Sequence, residues 1–486
     1  MTQTDLKTIS CLILTGMVVQ TAAMLGVAKL RGSATAYAYQ SPDAREYVSL
    51  ARGLARQGRY VCVDSEGNQS GGPDTWRTPG YPAVLALIIT IFGDSVWVLL
   101  LFNQLLNMMT IPLLWLLIRQ YTSYRWAMVA AMAWILDPFR IYYGLWLMAE
   151  TLFVVVLLIG LLAWSQWTAK GWNIRRAAIL GVLAGAAVMV RPIAFALPLL
   201  AVVGIGFAGR GKQKMLVWPV ACLLGCLIVI GPWMLRNRMV AGHWGISHQS
   251  GASFAYHKVA DVVLWSQGRS RYRFDPDVHD EIRGEIDRRL QKKWAQRFGP
   301  LSEIERQNLS WRKLNYNLAT DIDQFSASSL LWSAGTQMLA NRRWAAVECF
   351  SAQGINMLIF PLGLLLFPPA GTGTAPLSML AGGSGSWLST TLAAGIGICY
   401  TVLALAVLGR LIHAFLGRYW PASFFVFWPA AALFVLALPF EDPRFRLPLV
   451  PLMWLIALTQ REAEPLCDST AVSQGDIIDL PTLPSV

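Results

Sequence analysis

Ser95–Arg119 reads SVWVLLLFNQLLNMMTIPLLWLLIR. It carries no charge before Arg119, and as a helix it is long enough to cross the hydrocarbon of a bilayer, which takes about 20 residues. Comparable stretches recur from end to end of the 486 residues. The composition agrees: 55% of residues are hydrophobic and 14% charged, where a soluble globular chain carries about 25% charged residues. The fold expected is an all-α polytopic membrane bundle of about 10–12 helices.

Basic clusters set its orientation, because cytoplasmic loops collect Lys and Arg. Arg119 and Arg125 flank one short loop, Lys170, Arg175 and Arg176 mark a second, and Arg210, Lys212 and Lys214 a third. With these inside, spans fall at about 9–30, 95–118, 126–138, 150–168, 177–191, 192–209 and 215–235, and the N-terminus is cytoplasmic. The first span lies behind one basic residue, Lys7, without a small-residue cleavage site, and is read as a retained helix. The net charge of +12 follows largely from this orientation. No nucleic-acid-binding motif accompanies it, so no nucleic-acid partner is expected.

The expected organisation has four parts. Residues 1–235 form a seven-helix module with a first outer loop at 31–94. Residues 236–386 form an extracytoplasmic subdomain with an interfacial segment, whose charged middle reads as two amphipathic helices, EIRGEIDRRLQKKWAQRF and LSEIERQNLSWRKLNYNL. C-terminal helices follow at 387–459, near 387–408, 420–439 and 447–459, and then a polar cytoplasmic tail at 460–486. Four of the seven cysteines, Cys11, Cys222, Cys226 and Cys399, lie in apolar runs and read as small core residues. Cys62 and Cys349 fall in outer loops and could form a disulfide.

The first outer loop holds the most unusual chemistry. Ser41-Pro42-Asp43 starts a helix, with Ser as N-cap, Pro in the first turn and an acid beside it. Asp43, Glu46, Tyr47 and Leu50 then share one face, and Arg45, Arg52, Arg56 and Arg59 another. A helix of that kind lies in the headgroup plane. Asp43 either serves the helix dipole or stands at the membrane boundary as a reactive group. Between Ser95 and Ala260 the only acids are Asp137 and Glu150, which bracket one short outer loop, DPFRIYYGLWLMAE. Ionised groups near hydrocarbon cost roughly 2.5–3.5 kcal/mol even on the lenient insertion scale, so this pair reads as site-shaping. Outward arginines run against the positive-inside rule: Arg77 before TPGYP, Arg191 in an RP turn, Arg236 in GPWMLRN, and Arg444 and Arg446 in EDPRFRLP. Such guanidinium groups meet lipid headgroups or bind phosphate bidentately. His243, His248 and His257 match no metal-ligand spacing, and nucleotide-hydrolysis signatures are missing.

In order, the outer-loop Asp43, RTPGYP, Glu150 opening a span, the RP turn, GPWMLRN, a long outer loop and RFRLPLVP resemble the GT-C membrane glycosyltransferases of the protein-mannosyltransferase-like and lipid A aminoarabinose-transferase-like group. The resemblance covers about Ile9–Gly251 and again Glu441–Leu458. It implies an inverting glycosyltransferase of a plasma (inner) membrane. That enzyme would move a sugar from a polyprenyl-phosphate donor to an acceptor hydroxyl on a lipid, protein or glycan at the extracytoplasmic face. Asp43 matches the family's general base. Arg77, Arg191, Arg236, Arg444 and Arg446 would bind the donor phosphate, and Glu46, Tyr81, Asp137 and Glu150 would shape the site. Many relatives carry a second acid beside the first, where this chain has Ala44. A metal is therefore an open question, with Glu46, Asp64, Glu66 and Asp74 as further carboxylates. The alternatives are a transporter or flippase of lipid-linked saccharides, which predicts charges along the bundle axis, and an O-antigen ligase or polymerase type of transferase.

Overall fold

A computed structural model describes residues 3–31, 33, 38–39, 41–208, 212–268, 276–314, 317, 319, 322–359, 398–410 and 447–458. The N-terminal part runs α1 (Gln3–Arg31), α2 (Pro42–Gln57), a two-residue hairpin β1 (Cys62–Val63) and β2 (Gln69–Ser70), α3 (Gly80–Phe92), α4 (Val96–Arg119), α5 (Tyr124–Ile135), α6 (Pro138–Gly144), α7 (Ala149–Lys170), α8 (Ile174–Val190), α9 (Ala196–Ala208) and α10 (Lys212–Ala241). Among the described residues, Gln3–Lys29, Val96–Arg119, Ala149–Lys170 and Leu216–Ala241 are long and apolar enough to cross a membrane. Their outward side chains, Leu14, Leu101, Leu105 and Ile228 among them, are exposed, as lipid-facing residues are. The interior is built on α4 and α7, with Trp115, Trp134 and Phe153 almost fully buried. Helices α8 and α10 cross closely at Gly181, where a Cβ would collide with the Cys222 carbonyl; small residues permit such approach between membrane helices. Cys222 and Cys226 are buried and free there. Cys62 and Cys349 do not form a disulfide with each other.

Three stretches of the first module differ from expectation, one of them the expected span at 192–209, which is a 3-10 turn at Pro192–Phe195 followed by the 13-residue α9. The expected span at 126–138 contracts to α5, whose 12 residues rise only about 18 Å. Asp137 ends it by capping α6, accepting from the amides of Phe139 and Arg140 at 2.9 Å. The loop after α5 is thus a short helix folded into the bundle, with Phe139, Arg140, Tyr142 and Tyr143 buried. The first outer loop, in turn, ends in the apolar helix α3. At 13 residues it is too short to span a bilayer at 1.5 Å per residue, and Leu87, Ile91 and Phe92 remain exposed on it.

Helices α2 and α3 run side by side in the same direction. Arg77, just before α3, pairs with Asp43 and Glu46 at the start of α2. Asp94, just after α3, pairs with Arg52 and Arg56 near the end of α2, at 2.8 and 2.5 Å. Two members of the arginine face therefore bind the protein's own chain. Gly58, at φ +61°, closes α2: its amide donates to the Leu54 carbonyl and the Arg59 amide to the Gly53 carbonyl, a left-handed cap that glycine adopts without a Cβ clash.

The part expected to form the outer subdomain comprises α11 (Gln249–Ser253), a π-helical turn (Phe254–Val259), α12 (Ala260–Ser266), α13 (Pro276–Phe298), α14 (Glu303–Asn308), α15 (Trp311–Leu314), α16 (Gln324–Leu339) and α17 (Arg343–Ile359). The first expected amphipathic helix is α13. The second breaks into α14 and α15, because Leu309 drops fully into the subdomain core and the Trp311 amide turns to Asp287 Oδ2 at 3.1 Å. Ser302 and Glu305 start α14 with a reciprocal capping box. Two later helices, α18 (Ile398–Arg410) and α19 (Leu449–Leu458), pack against the first module. The expected span at 420–439, residues 360–397, the tail 460–486, and with them Arg444 and Arg446, lie outside the described residues.

Candidate active site

The acids and bases of the first outer loop meet at the top of α2. Asp43 and Glu46 lie on one helical face, and Arg77 reaches both. Its Nε and Nη2 each stand 2.7 Å from Glu46 Oε2, and Nη2 stands 2.6 Å from Asp43 Oδ1. The guanidinium also lies over the Tyr47 ring, 5.2 Å from its centre. Ser41 occupies the N-cap position without a capping bond from its hydroxyl, so the first-turn acid is turned to Arg77. One cation thus serves two carboxylates, with Asp74 a third nearby. Burial and the neighbouring Asp74 and Asp43 charges push the Glu46 carboxyl up, against the pull of Arg77. Burial alone would lower the Arg77 guanidinium, but Asp43 and Glu46 outweigh it and hold the group well above its ordinary value.

A second ion pair stands beside the first. Glu150, in the first turn of α7, meets Arg191 Nη1 at 2.7 Å. Tyr47 lies between the pairs: burial raises its hydroxyl, and Arg77, Asp43, Glu150 and Arg191 all act on it. The Tyr81 ring meets the Tyr47 ring edge-on at 5.3 Å, and its hydroxyl donates to Asn103 Oδ1 at 3.4 Å. Gly80 makes this proximity possible, since any Cβ there would stand 2.6 Å from the Met189 carbonyl, two residues before Arg191. Exposure separates the acids: Asp43 keeps 23% of its side-chain surface open and Glu150 only 2%. Glu46 keeps 20%, so the acids of α2, and not Glu150, can be reached by a hydroxyl from solvent.

Other expected site residues are placed differently. Arg236 aims its donors at the protein itself: Asp74 O at 2.5 Å, Asn237 Oδ1 at 2.9 Å and Tyr60 O at 3.4 Å. Its guanidinium packs on Trp233 and Tyr60. It braces the loop that carries Arg77. Asp137 is separate from the Asp43 cluster; it caps α6 and accepts a hydrogen bond from Tyr400 of α18. The sequence reading passed over Arg140. It is 1% exposed and closes the end of α5, donating to the Trp134 and Ile135 carbonyls at 2.7 Å each and to Asn107 Oδ1 at 3.1 Å. A base in an outer loop, against the positive-inside rule, was the available signal. Among the described residues no three His, Cys, Asp or Glu side chains converge as metal ligands. Asp43 and Glu46 already share a guanidinium, so this donor set does not fit a divalent cation.

Comparison with known proteins bears on the same region. Residues 76–235 match the dolichyl-phosphate-mannose-protein mannosyltransferase family. No match was found among curated protein sequences. Among solved structures, ArnT from Cupriavidus metallidurans bound to undecaprenyl phosphate is 13% identical, over 93% of this chain and 78% of that one, with a TM-score of 0.38. The archaeal oligosaccharyltransferase AglB from Archaeoglobus fulgidus, in complex with an inhibitory peptide and a dolichol-phosphate, is 14% identical, over 91% of this chain and 50% of that one, with a TM-score of 0.43. The family match begins on WRTPGYP, ends inside GPWMLRN, and contains Arg77, Glu150 and Arg191. Over that stretch the chain is similar to the protein-mannosyltransferase family, and it is a helical chain with several membrane-spanning segments.

Proposed function

We propose that the protein transfers a sugar, with inversion, from a polyprenyl-phosphate donor to an acceptor hydroxyl at the extracytoplasmic face. The observation that supports this most is the sharing of Arg77 by Asp43 and Glu46. A hydroxyl nucleophile needs a base within hydrogen-bond reach of its proton, and a departing phosphate needs a preorganised cation. This cluster offers both side by side. In the reaction the acceptor oxygen attacks the anomeric carbon and its proton passes to Asp43. The bond from that carbon to the phosphate oxygen breaks on the opposite side, and its electron pair leaves with the lipid phosphate. As charge grows on the phosphate, Arg77 turns its fork toward it while Glu46 keeps the guanidinium at the site. That movement frees Asp43 from its counterion when it must accept a proton. Glu150 holds Arg191 alongside as a second cation.

The test is incubation of the purified protein with a panel of polyprenyl-phosphate sugars, following release of the lipid phosphate. Wild type should release it with at least one donor. Asp43→Asn should slow release about 100-fold or more, the scale of general-base catalysis, while thermal unfolding stays that of wild type. Release undiminished in Asp43→Asn would remove the base assignment, and no release with any donor would overturn the reaction.

A further inference from the structure

Residues Asp74-Thr75-Trp76-Arg77 form a joint between two bodies. The side chain of Arg77 points to the acids of α2. The side chain of the residue before it, Trp76, is buried in the apolar core of the outer subdomain, with Tyr256, Val259, Leu290 and Leu309. Every residue of the joint is gripped. The Asp74 carbonyl accepts from Arg236. Thr75 meets His248 twice, through its carbonyl at 3.2 Å and through its hydroxyl at Nδ1, 2.9 Å. The Trp76 carbonyl accepts from the Ser247 hydroxyl, and its ring lies edge-on to His248 at 5.1 Å. The carbonyls of Arg77 and Thr78 accept from Tyr60 Oη at 3.3 and 3.1 Å.

At the centre is Asp74, 6% exposed. Its Oδ1 accepts from the Trp76 and Arg77 amides at 3.0 and 2.9 Å, which fixes the backbone from which Arg77 projects. Its Oδ2 accepts from Asn317 Nδ2 at 2.5 Å. Asn317 belongs to the outer subdomain. Asn317 has φ +54°, the one non-glycine residue with positive φ among those described. Backbone strain of that kind persists where surrounding contacts hold it, often at functional sites.

We propose that Asp74, held by Asn317, is a positioning residue for Arg77, and that the outer subdomain sets the geometry of the transfer site through this contact. The inference rests on the transfer reaction proposed above. Removing Asn317 leaves a buried carboxylate oxygen without its donor and loosens the turn that aims Arg77, at a distance from any substrate. The effect belongs on kcat, because the aim of Arg77 matters most when charge develops on the leaving phosphate.

The test uses the full-length protein and the donor that wild type accepts. Asn317→Ala should lower kcat about tenfold, the scale of one hydrogen bond to a charged group, with the donor KM within about twofold of wild type. Asn317→Asp places two carboxylates face to face. Its rate relative to wild type should fall below that of Asn317→Ala at pH 8 and recover toward it near pH 5, where the pair shares one proton. Amide hydrogen exchange at Trp76 and Arg77 should quicken about tenfold in Asn317→Ala, with α13 unchanged. Unaltered exchange overturns the clamp whether or not transfer is observed. Faster exchange with unaltered kcat, or a deficit in Asn317→Asp that ignores pH, overturns its role in positioning. A wild type inactive with every donor overturns the reaction instead, and exchange alone then judges the clamp.

Discussion

Glu150 and Arg191 pair where water is scarce, and that makes each dependent on the other. Glu150 Oε1 holds the guanidinium at 2.7 Å, while Oε2 has no hydrogen-bond partner among the described residues. A buried ion pair returns little net stability over an apolar pair of the same size, but loss of one member strands the other. Glu150→Leu or Arg191→Met alone should therefore cost about 3–5 kcal/mol, and the double variant should cost clearly less than their sum. Thermal unfolding in detergent checks this, and additive losses would mean the two do not act as a unit. Both residues stood out in the sequence, one as a rare membrane acid and the other as an outward arginine. Their pairing did not, because periodicity relates neighbours on one helix and says nothing of contacts between α7 and the end of α8. The same limit applies to Arg236. Its type and topological side suggested a phosphate ligand, but its donors reach the backbone carbonyls of Tyr60 and Asp74, which have no sequence signature.

Among the elements, the outer subdomain holds its own titrating group. Asp287 on α13 accepts from Tyr256 Oη at 2.7 Å and from the Trp311 amide. Burial pushes its carboxyl up to about 6, although those hydrogen bonds pull it down. A carboxyl raised in the folded state gives stability that is full below its ordinary value near 4 and is lost as pH rises through about 6. His248 acts in the opposite sense: burial takes it down to about 4, so its contribution is present above its ordinary value and lost as pH falls toward 4. Between pH 6 and 4 the two oppose each other. Asp287→Asn removes one side, so the variant should lose about 2 kcal/mol more than wild type on acidification across that window. Chemical denaturation at pH 4, 5, 6 and 7 measures it; parallel curves for the two proteins would refute the assignment. Element lengths were legible where apolar runs matched a full bilayer crossing, as in α1, α4, α7 and α10. They were not legible where a local signal interrupted the run. Asp137-Pro138 cuts α5 short by capping α6, Leu309 breaks the charged helix between α14 and α15, and α3 is an apolar helix too short for a crossing.

At the scale of the whole molecule, every part of the candidate site lies toward one side of the bundle. Asp43, Glu46 and Arg77 precede α4, Glu150 opens α7, Arg191 follows α8, and Arg236 lies near the end of α10. The basic residues Arg119, Lys170 and Arg176 lie at the opposite ends of α4, α7 and α8. Since cytoplasmic ends collect positive charge, this arrangement supports the proposed extracytoplasmic placement of the site, where the proposed polyprenyl-phosphate donor would have to present its sugar. Orientation follows from charge and is testable without any substrate. In a background with the seven cysteines replaced by alanine, single cysteines are introduced at Gly72, exposed in the segment between α2 and α3, at Gln307, exposed on α14, and at Ser123, exposed at the α4–α5 turn. Gly72→Cys and Gln307→Cys should react with a membrane-impermeant maleimide on intact cells, and Ser123→Cys only after permeabilisation. Asp94 fixes α2 to α3 at one end and Arg77 at the other, so a label at Gly72 reports on the hairpin they enclose, and hence on Asp43. Labelling of Ser123→Cys in intact cells, with Gly72→Cys silent, would turn the bundle over and place Asp43 at the cytoplasmic surface. The donor would then have to be reached before it crosses the membrane.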